Sequence, residues 1–250
     1  MQILLCGCAG RMGHAVAAAV ANTTDCTVVA GIDTRAADAA YPVYADPAEC
    51  TQAADVIIDF SSPAALDAEL AYAVAHNLPV VIATTGLSDE HIAAVHAAAT
   101  RIPVFFSSNM SLGVSLVAAL TKKAAQILGD TYDIEIVEMH HNQKLDAPSG
   151  TALMLADAAR AGLDYEPQYT YERHTRRQKR DPHEIGIAAL RGGTVVGEHQ
   201  VIFAGQDEVI NITHRAQSRE IFATGALRAA RFLVGKAAGL YTMEDLINEA

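Results

Sequence analysis

The sequence is poor in several things that whole classes of function require. Cysteine occurs four times in 250 residues, as Cys6, Cys8, Cys26 and Cys50, and no Cys-x-x-Cys is present. Structural, reduced thiols are the default for such a set. All four lie in the first 50 residues, so a dehydrogenase that forms a thioester in its catalytic half lacks its nucleophile. None of the ten histidines pairs at i, i+4 around a carboxylate, and no metal site is expected.

Positive charge is also scarce. Eighteen Lys and Arg face 29 Asp and Glu, for a net charge of −11. An acidic chain is a poor partner for phosphate backbones or anionic membranes, so neither nucleic acid nor membrane is expected as a partner. One basic cluster, Arg173 to Arg180 (RHTRRQKR), runs against this trend and reads as a solvated loop or one that attracts an anionic substrate. The chain is 51% hydrophobic, much of it alanine, and no apolar run is expected to reach the roughly 18 residues that span a bilayer. The first ten residues, MQILLCGCAG, read as a buried strand and turn without a basic or long apolar leader, so a cytoplasmic location is expected. There is no internal repeat and no low-complexity segment.

What is present is an alternation of short apolar strands and alanine-rich helices over the first hundred residues. Strands are expected at Ile3–Cys6, Thr27–Ile32, Val56–Phe60, Val80–Ala83 and Val104–Phe106, and helices at Arg11–Ala21, Pro63–His76 and Asp89–Ala98. Continuous apolar strands between helices indicate a parallel sheet covered on both faces. After Asn109 the pattern changes. A long helix over Gly113–Leu128 and an alternating strand over Asp133–Met139 are followed by a helix at Ser149–Arg160 and a polar stretch to His183. Three strand-like runs then come at Glu184–Leu190, Val196–Phe203 and Glu208–Thr213, and a last helix at Glu220–Ala238. The fold class is α/β: an N-terminal Rossmann-like parallel-sheet domain at 1–109, joined by helices of 218–250 packing back, and a smaller α+β domain at 110–217 with a mixed sheet.

The turn after the first strand is Gly7-Cys8-Ala9-Gly10-Arg11-Met12-Gly13. Its glycines are spaced G-x-x-G-x-x-G, yet the physical requirements of pyrophosphate binding are met: a tight turn, close backbone approach, and a helix starting with free N–H groups. Asp33, twenty residues beyond Gly13, ends the second strand, where a carboxylate suits ribose hydroxyls. Two further turns, Ala83-Thr84-Thr85-Gly86 and Ser107-Ser108-Asn109-Met110, follow later strands and suit the nicotinamide side of such a site.

The most informative run is Glu135 to Ala152, EIVEMHHNQKLDAPSGTA. His140, His141 and Lys144 leave the end of a strand, and Pro148-Ser149-Gly150-Thr151 opens a helix. The turn offers hydroxyls and unpaired N–H groups that suit a carboxylate, and the cationic groups can donate a proton. Taken singly, His140 is also readable as a satisfied core histidine and Ser149 as a helix cap. Together they read as a site for a small polyanion that needs a proton.

This run closely resembles the signature of the 4-hydroxy-tetrahydrodipicolinate reductase family, Glu-x-x-Glu-x-His-His-x-x-Lys-x-Asp-Ala-Pro-Ser-Gly-Thr-Ala. Gly7 to Gly13, Thr84-Thr85-Gly86, Asn109 to Val114 and Arg191 to His199 resemble the family as well, so the likeness spans residue 2 to about 235. The resemblance implies a homotetramer in lysine biosynthesis that reduces a cyclic dicarboxylate with NAD(P)H. It implies His140 as proton donor or acceptor, Lys144 as proton donor, His141 as a substrate contact, and Gly150 with Thr151, beside Ser149, as holders of a substrate carboxylate. Cofactor contacts would come from Gly7, Cys8, Ala9, Gly10, Arg11, Met12, Asp33, Ala83, Thr84, Thr85, Ser107, Ser108, Asn109 and Met110. Some family members carry arginine directly after the acid of the second strand. Here Thr34 stands there and Arg35 follows, so use of both NADH and NADPH with a lean to NADH is expected. Two alternatives are a different two-domain nicotinamide oxidoreductase and a dinucleotide-sensing scaffold, for which the His140, His141, Lys144 cluster would be superfluous.

Overall fold

A computed structural model describes residues 1–35 and 38–249. In chain order the elements are β1 (Gln2–Cys6), α1 (Arg11–Ala21), β2 (Thr27–Ile32), β3 (Val43–Tyr44), β4 (Val56–Asp59), α2 (Leu66–Ala75), β5 (Val80–Ile82), α3 (Asp89–Ala99), β6 (Pro103–Phe106) and α4 (Leu112–Leu128). There follow β7 (Asp133–His140), α5 (Gly150–Arg160), β8 (Gln168–Thr170), β9 (Glu184–Arg191), β10 (Gly197–Ala204), β11 (Val209–Ala216), α6 (Glu220–Leu233), β12 (Gly239–Tyr241) and α7 (Met243–Asn248). They form two compact units, one of Met1–Leu112 with the chain from Arg219 onward, the other of Gly113–Ser218.

The first unit is a seven-stranded sheet in the order β12-β6-β5-β4-β1-β2-β3 with every pairing parallel. Successive residues of a strand face opposite sides, and here both sides are dry. Ile3 and Leu5 of β1 join a core with α1, α6 and α7, while Leu4 and Cys6 join another with α2 and α3. This double burial is why the strands read as unbroken apolar runs. The strand order reverses its direction of growth at β1, whose neighbours are β2 and β4. The crevice that such a reversal opens lies at the carboxyl ends of β1 and β4.

The second unit is a mixed sheet in the order β11-β10-β7-β9-β8. β10 runs antiparallel to β7 and β11, whereas β7, β9 and β8 are parallel. α4 and α5 cover one face, packing Val117, Ala125, Leu155 and Ala159 on Ile134, Ile136, Ile187, Val201 and Phe203. The opposite face stays open, with Leu190 and Val209 exposed.

Several expectations are corrected. The helix placed at Pro63–His76 begins as a 3-10 turn, Pro63–Ala65, because Pro63 and its neighbours form the entry to α2. The last long helix stops at Leu233, since Val234 is extended and Gly235 takes φ +84°; β12 and α7 follow it. One run does reach membrane-spanning length: Leu112–Thr131 has 20 residues and a mean hydropathy of 1.2. Lys122 and Lys123 stand at its midpoint, where each would cost roughly 2.5–3.5 kcal/mol in a bilayer, and Val114, Val117, Thr121 and Ala125 form a buried stripe of a protein helix. The basic cluster is an exposed loop, as expected, and three of its arginines clasp the edge of the second sheet. Arg173 lies 2.7 Å from both Glu135 and the buried Glu184, Arg176 3.2 Å from Glu184, and Arg180 2.8 Å from Asp133 and 3.0 Å from Glu135.

Beneath the crevice of the first unit sit two buried acids. Asp59 at the end of β4 accepts from the Ser61 N–H at 2.7 Å and from the Thr84 hydroxyl at 3.0 Å, both on Oδ1. Its Oδ2 and both oxygens of Glu69, on α2, have no hydrogen-bond partner among the described residues. Burial raises both carboxyls, and for Glu69 burial and then the Asp59 charge push it up to about 9. Native Glu69 therefore keeps a proton that the unfolded chain releases near its ordinary 4.5. Between these values the unfolded state binds fewer protons, and stability falls as pH rises, by at most about 1.4 kcal/mol per pH unit. Glu69→Gln removes this loss. Urea midpoints measured from about pH 5 to 9 are expected to fall more steeply for the native sequence than for Glu69→Gln. Parallel curves would show that Glu69 is not held neutral.

Candidate active site

The cofactor candidates gather in the first unit along two adjoining hollows at the strand ends. One, of about 550 Å³, is lined by Gly7, Asp33, Thr34, Arg35, Phe60 and Ser61 among others. The second, of about 500 Å³, shares Phe60 and Ser61 and continues past Gly10, Arg11, Met12, Ala83, Thr84, Thr85, Ser108 and Met110 to Arg219 and Phe222. An extended ligand with two unlike ends fits such a pair.

The glycine loop between them is shaped by steric necessity. Gly7 takes φ +74°, and a Cβ there would lie 2.5 Å from the Phe60 carbonyl oxygen. A Cβ on Gly13 would fall 2.3 Å from the Gly7 oxygen, so only hydrogen lets α1 sit this close to the turn. α1 starts at Gly10 with no side chain capping it. Its first-turn N–H groups thus face the crevice as an anion site, reinforced by the helix dipole. The residues present fit a pyrophosphate.

Asp33 organises the first hollow. Its Oδ2 accepts from the Ala9 N–H at 3.0 Å and its Oδ1 from the Arg35 N–H at 3.0 Å, while the Arg35 guanidinium closes on the carboxylate at 3.1 and 3.3 Å. Burial would raise the carboxyl, but the Arg35 guanidinium and the two backbone donors outweigh it and hold it below the ordinary range. Not every predicted residue offers its side chain. Cys8 is buried, with its thiol against Gly31, and contributes backbone only. The Thr84 hydroxyl turns inward to Asp59, whereas Thr85 is exposed. The Ser107 hydroxyl donates to the Asn109 carbonyl at 2.8 Å, and Asn109 Oδ1 accepts from the Ser111 N–H at 2.9 Å, which fixes the turn that carries Ser108 and Met110.

The His140 group lies in the second unit. On β7 the residues Ile134, Ile136, Glu138 and His140 all face the helix-covered side, so the strand's alternation carries the chemistry to its end. His140 Nδ1 is 2.6 Å from Glu138 Oε2. Glu138 Oε1 accepts from the Ser149 N–H at 3.0 Å, and the Ser149 hydroxyl accepts from the Ala152 N–H at 3.1 Å as the cap of α5. Ser149 Oγ is also 2.9 Å from His199 Nε2, and the His199 ring stands edge-on to His140 at 5.1 Å between centroids. Burial first, then the neighbouring His140, pushes His199 down to about 4, so it is neutral at neutral pH. Lys144 pairs with Asp146 at 2.8 Å and not with the histidines, although its charge reaches His199. His141 is half-buried beside this group. The cluster thus holds proton-carrying groups next to the positive end of a helix that starts at Gly150, an arrangement for protonating a bound anion.

Sequence reading missed two sets of residues here. Phe60 and Ser61 line both hollows, and their signal was available: β4 is a strand with a polar turn at its end like its neighbours. Glu138, Arg191 and His199 stand in noted motifs, but their meeting depends on cross-strand register, in which His199 lies opposite Glu138 and Arg191 opposite His140.

Comparison with known proteins agrees with this geometry. Residues 1–110 match the family described as dihydrodipicolinate reductase, N-terminus, and residues 113–247 the family described as dihydrodipicolinate reductase, C-terminus. The chain is 51% identical over 249 residues to a 4-hydroxy-tetrahydrodipicolinate reductase of Caldanaerobacter subterraneus, covering 100% of this chain and 99% of the relative. It is 45% identical to that of Clostridium novyi, with 98% of each covered. In structure it resembles a dipicolinate-bound dihydrodipicolinate reductase from a Paenisporosarcina species, with a TM-score of 0.82 over 97% of both chains at 24% identity. With both halves matched end to end, the chain belongs to the dihydrodipicolinate reductase family of pyridine-nucleotide oxidoreductases.

Proposed function

We propose that the protein reduces 4-hydroxy-tetrahydrodipicolinate to tetrahydrodipicolinate with NADH or NADPH, in the diaminopimelate route to lysine. The observation that carries this reading is the meeting of the Glu138–His140 pair with the amino-terminal end of α5, a proton site beside the positive end of a helix dipole. Family membership supports the same substrate, and the dipicolinate bound to the Paenisporosarcina protein supports a small dicarboxylate.

The first unit would hold the dinucleotide, its pyrophosphate over Gly7–Met12, its adenosine ribose at Asp33, and its nicotinamide end near Ala83–Thr85 and Ser107–Met110. When bound, the dinucleotide supplies the hydride. The second unit would hold the substrate. The backbone N–H groups of Gly150 and Thr151, with Ser149 behind them, take one carboxylate, and His141 contacts the ring. The net reaction releases the 4-hydroxyl of the substrate as water, and reduction of the ring by hydride takes up one proton, which Lys144 donates, with His140 as the exchangeable donor or acceptor beside it. The open face of the second sheet, with Leu190 and Val209 exposed, supports assembly of copies into a homotetramer. Four free cysteines suit the reducing cytoplasm.

Three outcomes test this. In an assay that couples the dihydrodipicolinate synthase reaction to NAD(P)H oxidation, Lys144→Ala is expected to lose ~10²–10⁴-fold in kcat with dinucleotide affinity intact. A wild-type kcat would remove the lysine from the mechanism.

His140→Ala is expected to lower kcat more than His141→Ala, which mainly raises KM, because a proton-transfer role acts in the transition state and a binding contact acts in both states. The reverse pattern would exchange their roles.

NADH is expected to serve at least as well as NADPH. A 2′-phosphate would meet the ionised Asp33, at a cost of roughly 1–4 kcal/mol for charges about 4 Å apart. Arg35, already on Asp33, offsets this if it turns to the phosphate. A tenfold or greater preference for NADPH in kcat/KM overturns the expectation, and Arg35→Ala is expected to weaken NADPH use selectively.

A further inference from the structure

We propose that Glu138, clasped by Arg191, is the positioning residue of the site: this one buried carboxylate sets the orientation and tautomer of His140 and ties the start of α5 to it. The inference rests on the reading of His140 as the proton-handling group.

Four donors converge on Glu138, and each of its oxygens takes two. Oε2 accepts from His140 Nδ1 at 2.6 Å and from Arg191 Nη1 at 2.9 Å; Oε1 accepts from Arg191 Nη2 at 2.8 Å and from the Ser149 N–H at 3.0 Å. The carboxylate is fully buried. Burial would raise it, but the Arg191 guanidinium and His140 outweigh that and hold it below the ordinary carboxylate range. An ionised carboxylate has no proton to give, so His140 must carry its own on Nδ1. Proton exchange with a substrate is then confined to Nε2. That atom looks toward Gly197, where an added Cβ would come within 3.1 Å. Arg191 extends the frame, since its Nη2 also donates at 2.6 Å to the Asp146 carbonyl and so anchors the loop that carries Lys144.

The other ionisable groups around His140 are few. His199 faces it from β10 with His214 behind on β11, Arg191 lies opposite on β9, and Lys144, Asp146 and the adjacent His141 come from the loop. Of these, Glu138 is the group in direct contact with the ring nitrogen. A buried ion pair adds little net stability, because desolvation offsets attraction. What this one supplies is geometry, joining the His140 ring on β7 to a helix cap, Ser149, that lies eleven residues after Glu138 itself.

The test compares the native protein with Glu138→Gln and Arg191→Lys. Long-range ¹⁵N–¹H spectra of the imidazoles report the tautomer without any turnover, and dinucleotide affinity, followed by fluorescence, reports an intact first unit. The native protein is expected to show His140 with its proton on Nδ1. In Glu138→Gln the tautomers are expected to mix and kcat to fall by about 10²-fold, with dinucleotide affinity unchanged. The acidic limb of the kcat–pH profile is expected to move down by at least about one pH unit, as loss of an adjacent opposite charge requires. Arg191→Lys, which keeps the charge and loses the fork, is expected to lower kcat while leaving that limb in place. A native His140 protonated on Nε2 would overturn the proposal, even if neither variant folds. So would a Glu138→Gln protein with an unmoved limb and unmixed tautomer, whatever its kcat. Full activity in His140→Ala, together with a His140 proton on Nδ1 in the native protein and mixed tautomers in Glu138→Gln, would instead defeat the proton-handling reading and leave the frame standing.

Discussion

A sheet buried on both faces has only its ends and edges left for polar work, and this constraint governs the first unit. Ile3, Leu5, Ile58 and Val81 fill one side and Leu4, Ile57, Ile82 and Val104 the other, so no strand interior can present a side chain to a ligand. The chain must place its chemistry where strands stop. Gly7, Asp33, Phe60, Ala83 and Ser107 each follow directly on the end of a parallel strand, and their convergence is a consequence of topology more than of any single motif. The second unit obeys a different rule. Its sheet is covered on one face only, so β7 alternates between a helix-covered row ending in Glu138 and His140 and an open row of Glu135, Val137 and Met139.

Much of this was legible in the sequence because the signals were local. Unbroken apolar runs gave the central strands, the Gly7–Gly13 spacing gave the tight strand-to-helix turn, and the passage from Glu138 to Ala152 gave the strand end and helix start that carry His140 and Ser149. What escaped was short or long-range. Val43–Tyr44, Gln168–Thr170 and Gly239–Tyr241 are strands of two or three residues, too brief to show a period, and they exist because a neighbouring edge offers them hydrogen bonds. Leu112–Thr131 was misjudged as to length because a helix with one buried stripe and many alanines has nearly the hydropathy of a span. Arg191 is 53 residues from Glu138, and nothing local announces that the two meet.

The acidic residues show how differently one side-chain type is handled in one molecule. Glu138 and Glu184 are buried and ionised because arginines reach them; Glu69 is buried and neutral because none does. The basic cluster, read from sequence as a solvated surface, is what makes Glu184 tolerable at the edge of the second sheet. Charge pattern along a chain thus says little about which charges are paired until the fold is known.

The first unit is also discontinuous in sequence. Ala223, Leu227, Ala230 and Leu233 of α6, and Met243 and Leu246 of α7, help to close one entire face over Ile58, Val81 and Phe105. During synthesis on a ribosome, the residues up to Leu112 emerge with that face incomplete, and it is not covered until α6 and α7 have been made. The nascent chain therefore has to keep an apolar sheet surface from aggregating while the whole second unit is made. Loss of α6 and α7 would damage the first unit, most of which precedes Gly113, and not the unit that directly precedes them in sequence.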